Sequence, residues 1–288
     1  MIPGPFVYHR PQSLSDASKL LAQLGDEARV LAGGHSLIPM MKLRMATPEH
    51  LVDIGAISEL KGIRKTADTI SIGAMTTQHE LLQSAVVAQT VPILHQASLL
   101  IADPQVRYVG TLGGNVANGD PGNDMPAVMM VLNAVYRLAG PDTTRSVAAR
   151  EFYLGAYATA LEPGEILTSI EIPVPAAGHG YAYEKLKRKI GDYATAAVAV
   201  VLSASGGRIT NCAIALTNLG ETPVFCDGAS RAAVGSSLDN GTLTNVAGLA
   251  ASLMAPADDA RGPAEYRTSV GKVLLRRALT SALSRASR

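Results

Sequence analysis

The sequence predicts an α+β protein of three domains, two small α/β domains followed by a third that combines an antiparallel sheet with helices. Three observations carry this expectation. Through roughly the first 175 residues, helical apolar spacings alternate with short strand-like runs. The stretch Pro173-Val174-Pro175-Ala176-Ala177-Gly178 then reads as a linker. Beyond it two long strand candidates follow each other directly, and the chain closes on a helical stripe. The expected domains are residues 1–55, 56–177 and 178–288, and 288 residues suffice for two or three compact units.

The elements follow in order. After a proline-rich lead, Ser13 or Ser15 can cap a helix with Leu14, Ala17, Leu20, Leu21 and Leu24 on one face, closed by Gly25. A short strand at 29–32 runs into Gly33-Gly34-His35-Ser36. Residues 37–43 read as a second helix, where Pro39 is tolerable only in the first turn. A strand at 50–54 ends this unit. Residues 69–74 alternate as a strand, Thr77 and Glu80 offer a capping box, and one longer helix is expected from about Ala88 to Ile101. Asp103-Pro104 reads as a break before Gly110-Thr111-Leu112-Gly113-Gly114-Asn115. Later strands are expected at 166–172, 181–186, 194–203 and 208–216. Val273, Leu274, Ala278, Leu279, Ala282 and Leu283 mark the final helix.

Composition narrows the function classes. With 47% hydrophobic and 17% charged residues the chain reads as an ordinary globular protein. A formal net charge of +1 gives no electrostatic reason to expect nucleic acid or an anionic membrane as partner. Two cysteines, Cys212 and Cys226, fall short of the four ligands an iron–sulfur cluster or structural zinc usually takes, so no resident metal is expected. The start, Met1-Ile2-Pro3-Gly4-Pro5-Phe6, lacks a basic and apolar leader, and no transmembrane segment is expected. The expectation is a cytoplasmic protein that would meet a membrane only through partners.

Common catalytic signatures are missing. No G-x-G-x-x-G follows a strand, and Gly271-Lys272 fails as a P-loop because Tyr266 stands at the upstream glycine position. There is no H-E-x-x-H and no G-x-S-x-G. What remains is a pair of glycine turns, Ala32-Gly33-Gly34-His35-Ser36 and Thr111-Leu112-Gly113-Gly114-Asn115, each expected to leave an extended segment. Consecutive glycines let main-chain N–H groups converge on a pyrophosphate, and Ser36 and Thr111 could add hydroxyl donors. Each turn taken singly is more often an ordinary tight turn. Two together favour an anionic ligand without identifying it.

The run Ala32-Gly33-Gly34-His35-Ser36-Leu37-Ile38-Pro39-Met40-Met41-Lys42, with Thr111 to Asn115 downstream, resembles the FAD-binding subunit of molybdenum hydroxylases. The resemblance extends to Glu165–Pro173 and Tyr183-Glu184-Lys185, and is nearest to the medium chains of aerobic carbon monoxide dehydrogenases. It implies a PCMH-type FAD-binding fold and FAD held without a covalent bond. It implies that Ala32, Gly33, Gly34, His35, Ser36 and Leu37 hold the cofactor together with Thr111, Leu112, Gly113, Gly114 and Asn115. Asp124 matches an acidic FAD contact. Ile101 and Leu167 match apolar residues near the flavin and adenine parts. Lys185 matches a lysine near the pyrimidine side of the ring, where a cation stabilises the reduced flavin. Asp192 and Tyr193 match the segment beside the reactive face, where Tyr193 could stack and control access.

The resemblance also implies partners. Molybdenum cofactor and [2Fe–2S] clusters would sit on a large and a small subunit, in a dimer of heterotrimers, with quinone or another external electron acceptor. Flavoprotein subunits of nicotine- or quinoline-type heterocycle hydroxylases are an alternative, as is a stand-alone FAD oxidoreductase. A hydroxybenzoyl-CoA reductase type is disfavoured, because its flavoprotein carries an inserted cysteine cluster and two cysteines occur here.

Overall fold

In a computed structural model that describes residues 2–286, three larger sheets and one two-stranded sheet occur among the described residues, and Met1, Ser287 and Arg288 lie outside them. The first holds β1 (Val7–His9), β2 (Ala28–Leu31) and β3 (His50–Asp53), all parallel in the order β1-β3-β2. Its helices are α1 (Leu14–Leu24) and α2 (Leu37–Lys42). Ser13, rather than Ser15, caps α1, its hydroxyl accepting from the Asp16 N–H at 3.1 Å. Gly25 ends the helix at φ +56°, a conformation that glycine adopts without steric cost. Ala17 and Leu21 bury against Val52 and Ile54.

The second sheet is antiparallel throughout, in the order β4-β5-β10-β6-β7. Its strands are β4 (Ile63–Lys65), β5 (Thr69–Gly73), β6 (Val135–Ala139), β7 (Thr144–Ala148) and, after a small hairpin of β8 (Tyr153–Gly155) and β9 (Ala158–Thr159), β10 (Ile166–Pro173). Between β5 and β6 run α3 (Gln78–Gln83), α4 (Ala85–Thr90), α5 (Pro92–Leu100), α6 (Pro104–Val109), α7 (Leu112–Ala117) and α8 (Asp124–Val131). The capping box forms as expected: Glu80 N–H donates to Thr77 Oγ1 at 3.1 Å and Thr77 N–H to Glu80 Oε2 at 2.7 Å.

One expectation is corrected here. The single helix over 88–101 is two, because Pro92 has no N–H to donate and occupies the first turn of α5 instead. The break expected at Asp103-Pro104 is present after Leu100, and it also caps the start of α6, with Asp103 Oδ1 accepting from Val106 N–H at 3.0 Å.

The third sheet runs β11 (Gly180–Leu186), β12 (Ala196–Ser205), β13 (Arg208–Thr217), β14 (Val224–Phe225), antiparallel in that order. Helices α9 (Asp227–Ala233), α10 (Asn240–Ala251) and α11 (Ala264–Ala286) complete it. On α11 the buried stripe is Leu274, Leu275, Ala278, Leu279 and Ala282, whereas Val273 is exposed. One face of β12 and β13 packs on α8, whose eight residues are all buried and which also contacts α5 and α7. No helix among the described residues is long and apolar enough to cross a membrane.

Candidate functional site

The two glycine loops meet. A Cβ built on Gly33 would lie 2.4 Å from the Val109 carbonyl oxygen and 2.8 Å from Gly110 Cα, so the main chains approach as only glycine allows. Gly113 is pressed on Ala74 in the same way, with a built Cβ 2.5 Å from the Ala74 methyl. Hydrogen bonds stitch the second loop to the start of α3: Gln78 N–H to Gly110 O at 2.9 Å, and Leu112 N–H to Thr76 O at 2.8 Å.

The loops differ in what they offer. Among the described residues, the N–H groups of Gly33, Gly34, His35, Ser36 and Leu37 have no intramolecular acceptor. Gly34 at φ +70° turns the chain, and the His35 ring bonds the Gly33 carbonyl through Nδ1 at 2.7 Å. Five consecutive free donors in a curled segment form an anion-binding concavity. The second loop departs from the expected pair of nests. It is the start of α7, capped by Thr111 and preceded by a helix rather than a strand. Its donors are used: Gly113 N–H on Ala74 O, Gly114 N–H on Thr111 Oγ1 at 3.0 Å and Asn115 N–H on Thr111 O.

Around these loops lies a cleft of about 560 Å³. Ala32, Gly33, Gly34, His35, Ser36 and Leu37 line it from one side, and Ile101, Thr111, Gly114 and Asn115 from another. Asp124, Lys185, Asp192 and Tyr193 close it. Three expected contacts do not reach it. Leu112 is fully buried, Gly113 is packed on Ala74, and Leu167 sits in β10 opposite Leu138 as core.

Electrostatics concentrate at Asp124. Lys185 Nζ donates to its Oδ2 at 2.8 Å and Tyr183 O–H to its Oδ1 at 2.5 Å. Both members of the ion pair are nearly sealed, with side chains 1% and 6% exposed for Lys185 and Asp124. Burial pushes the Asp124 carboxyl above its ordinary range, against the pull of Lys185 and Tyr183. Burial and the same carboxylate push the Tyr183 phenol well above its ordinary value. Lys187, donating to the Leu100 carbonyl at 3.1 Å beside Lys185, is lowered by burial and then by its neighbour's charge.

Tyr193 is 40% exposed at the rim, its phenol raised by burial and by Asp120. Asp192 pairs with Arg188 at 3.1 Å. Behind Tyr193 the main chain is fixed by the residue after β13 and by α11: Asn218 Nδ2 bonds the Ala194 carbonyl, and the buried Arg267 donates Nε to Thr195 O at 3.1 Å. Sequence reasoning missed Gln78, Asn118, Asn123, Tyr157 and Tyr183. The first four line the cleft, and Tyr183 steers Asp124 from behind. Only Tyr183 carried a signal, as part of the Tyr183-Glu184-Lys185 run.

Comparisons with known proteins accord with this geometry. Residues 4–175 match the family model of the FAD binding domain in molybdopterin dehydrogenase, and residues 181–282 that of the CO dehydrogenase flavoprotein C-terminal domain. The chain belongs to the family of FAD-binding medium chains of molybdopterin dehydrogenases. Within it, the chain is 60% identical to the carbon monoxide dehydrogenase medium chain of Afipia carboxidovorans, covering 99% of each chain. Its structure matches a chain of reconstituted CO dehydrogenase from Oligotropha carboxidovorans with a TM-score of 0.98 at 60% identity, covering 99% of this chain and 100% of that one. A chain of quinoline 2-oxidoreductase from Pseudomonas putida 86 matches with a TM-score of 0.94 at 36% identity, with full coverage of both.

Proposed function

We propose that this chain is the flavoprotein electron-transfer subunit of a CO-oxidising molybdenum hydroxylase. In this reading it takes electrons from [2Fe–2S] clusters on an iron–sulfur small subunit and passes them to quinone or another external acceptor. Carbon monoxide is oxidised to carbon dioxide at a molybdenum large subunit, and the complex is a dimer of heterotrimers. The cleft lies among three domains, residues 1–55, 56–177 and 178–288.

The observation that carries the reading is the row of five free N–H groups at Gly33–Leu37, opening on a cleft that also holds a fixed cation. Such donors fit a pyrophosphate, and no side chain there suggests a covalent flavin link: His35 is turned back on its own loop. FAD, held non-covalently, would supply a carrier able to exchange electrons singly or in pairs. The residues' own part is binding and tuning. The Gly33–Leu37 amides and the Ser36 hydroxyl hold the phosphates. Lys185, locked on Asp124, presents positive charge that favours a reduced ring. Tyr193, braced from behind, governs access at the rim.

Carbon monoxide rather than a heterocycle is favoured because identity is 60% to the carbon monoxide dehydrogenase chain against 36% to the quinoline oxidoreductase chain. The test is anaerobic bleaching of the flavin absorbance by carbon monoxide. It is expected in the assembled, fully metallated complex and not in the chain alone. Bleaching of the isolated chain would sink the relay reading. A metallated complex that is reduced by a heterocycle and not by carbon monoxide would move the assignment to the heterocycle hydroxylases.

A further inference from the structure

Two side chains lining the cleft stand out because their amide nitrogens have no partner among the described residues. Gln78 is 2% exposed, yet among the described residues its Nε2 has no hydrogen-bond partner; the Nδ2 of Asn118 is likewise buried and unpartnered. Both residues line the cleft. A buried donor without an acceptor costs free energy, so native proteins rarely leave one unless a missing group completes it.

The Gln78 side chain is held in place at several points. It is the first residue of α3, fixed by the Thr77–Glu80 capping box. Its N–H bonds Gly110 O, tying it to the second glycine loop. Its Oε1 accepts from Ser98 Oγ at 3.1 Å, on the buried face of α5. With the oxygen occupied from the core side, the NH₂ group is the one left for the cleft. Thr77 also bridges to Thr111, the cap of α7, whose far end carries Asn118. The two free amides therefore sit on elements joined at that bridge.

We infer that Gln78 is a cofactor-binding residue, donating Nε2–H to an acceptor atom of the bound flavin nucleotide, with Asn118 adding a second donor. This rests on the reading of the cleft as an FAD site. The acceptor is either a carbonyl or ring nitrogen of the isoalloxazine, or an oxygen of the ribityl–phosphate chain.

Gln78→Glu keeps the oxygen that Ser98 needs and removes the donor, while Gln78→Met removes both at similar volume. Apo-protein of each variant, checked for fold by circular dichroism and thermal melting, is titrated with FAD by fluorescence quenching. Gln78→Met is expected to bind about tenfold more weakly, the worth of a lost buried hydrogen bond, and Gln78→Glu at least as weakly. A shifted flavin midpoint potential in Gln78→Met assigns the acceptor to the ring; weaker binding at unchanged potential assigns it to the ribityl–phosphate chain. Wild-type affinity and potential in both folded variants overturns the inference and leaves the FAD reading standing. A wild-type chain that takes up no FAD overturns both.

Discussion

Lys185→Met isolates the buried ion pair in the cleft. The substitution keeps the aliphatic stem and deletes the ammonium, leaving Asp124 in a site where its side chain is only 6% exposed. Removing one partner of a buried pair costs about 3–5 kcal/mol. A second route gives the same size. If the stranded carboxylate escapes by taking a proton, holding an acid of ordinary pKa near 3.9 neutral at pH 7 costs about 1.4 kcal/mol per pH unit, or roughly 4 kcal/mol.

The sign with pH follows from linkage. Burial already raises folded Asp124 above its unfolded value, and Lys185 opposes that rise. In the variant the opposition is gone and the folded value climbs further. Between the ordinary value and the raised one, the folded state holds a proton that the unfolded chain has released. Stability there increases as pH falls and is lost as pH rises. The deficit of Lys185→Met against wild type should therefore shrink on going from pH 7 toward pH 5, by up to about 1.4 kcal/mol per unit. Urea unfolding of the apo chain at pH 7, 6 and 5 measures it. A deficit below about 1 kcal/mol at pH 7, or one that stays constant down to pH 5, would refute the reasoning.

Gly33→Ala places a methyl 2.4 Å from the Val109 carbonyl oxygen, which is main chain and must move. We expect a loss of about 1–3 kcal/mol in stability and FAD affinity lowered more than about tenfold. Gly228→Ala, with open space around its built Cβ, should leave FAD affinity unchanged; equal effects at both positions would contradict the close-approach account. Tyr193→Ala should alter the rate of electron exit or the flavin potential in the complex while FAD affinity changes little, since the donors at Gly33–Leu37 are intact. Stopped-flow reoxidation at wild-type rate, with wild-type potential, would remove Tyr193 from any such role.

Local chemistry was legible wherever a few adjacent residues settle the outcome. Ser13 and the Thr77–Glu80 pair cap helices because their oxygens reach N–H groups three residues away, whatever surrounds them. The strands at 180–186, 196–205 and 208–217 follow from dense β-branched and small residues between turns. Helix α8 left no such trace. Buried on every side, Asp124–Val131 has no polar face, and a helix without a polar face has no periodicity to read. Strands β6 and β7 likewise went unread, and Leu167, placed in the site by resemblance, packs opposite Leu138 instead.

The sequence by itself determined the Thr77–Glu80 capping box, the main strands, the positions of the two glycine loops and, through the resemblance they carry, the flavoprotein family. Only the tertiary structure decided which glycine loop has donors to give, because an N–H is free or used according to the carbonyls that folding brings near it. Leu112 and Gly113 lost theirs to Thr76 and Ala74, while Gly33 to Leu37 kept theirs. It also decided that Asp124 and Lys185, 61 residues apart, share a sealed site, and that Gln78, a residue lining the cleft, carries a buried and unpaired amide nitrogen. Burial sets the worth of each of those contacts, and burial is a property of the packed chain that no short run of residues encodes.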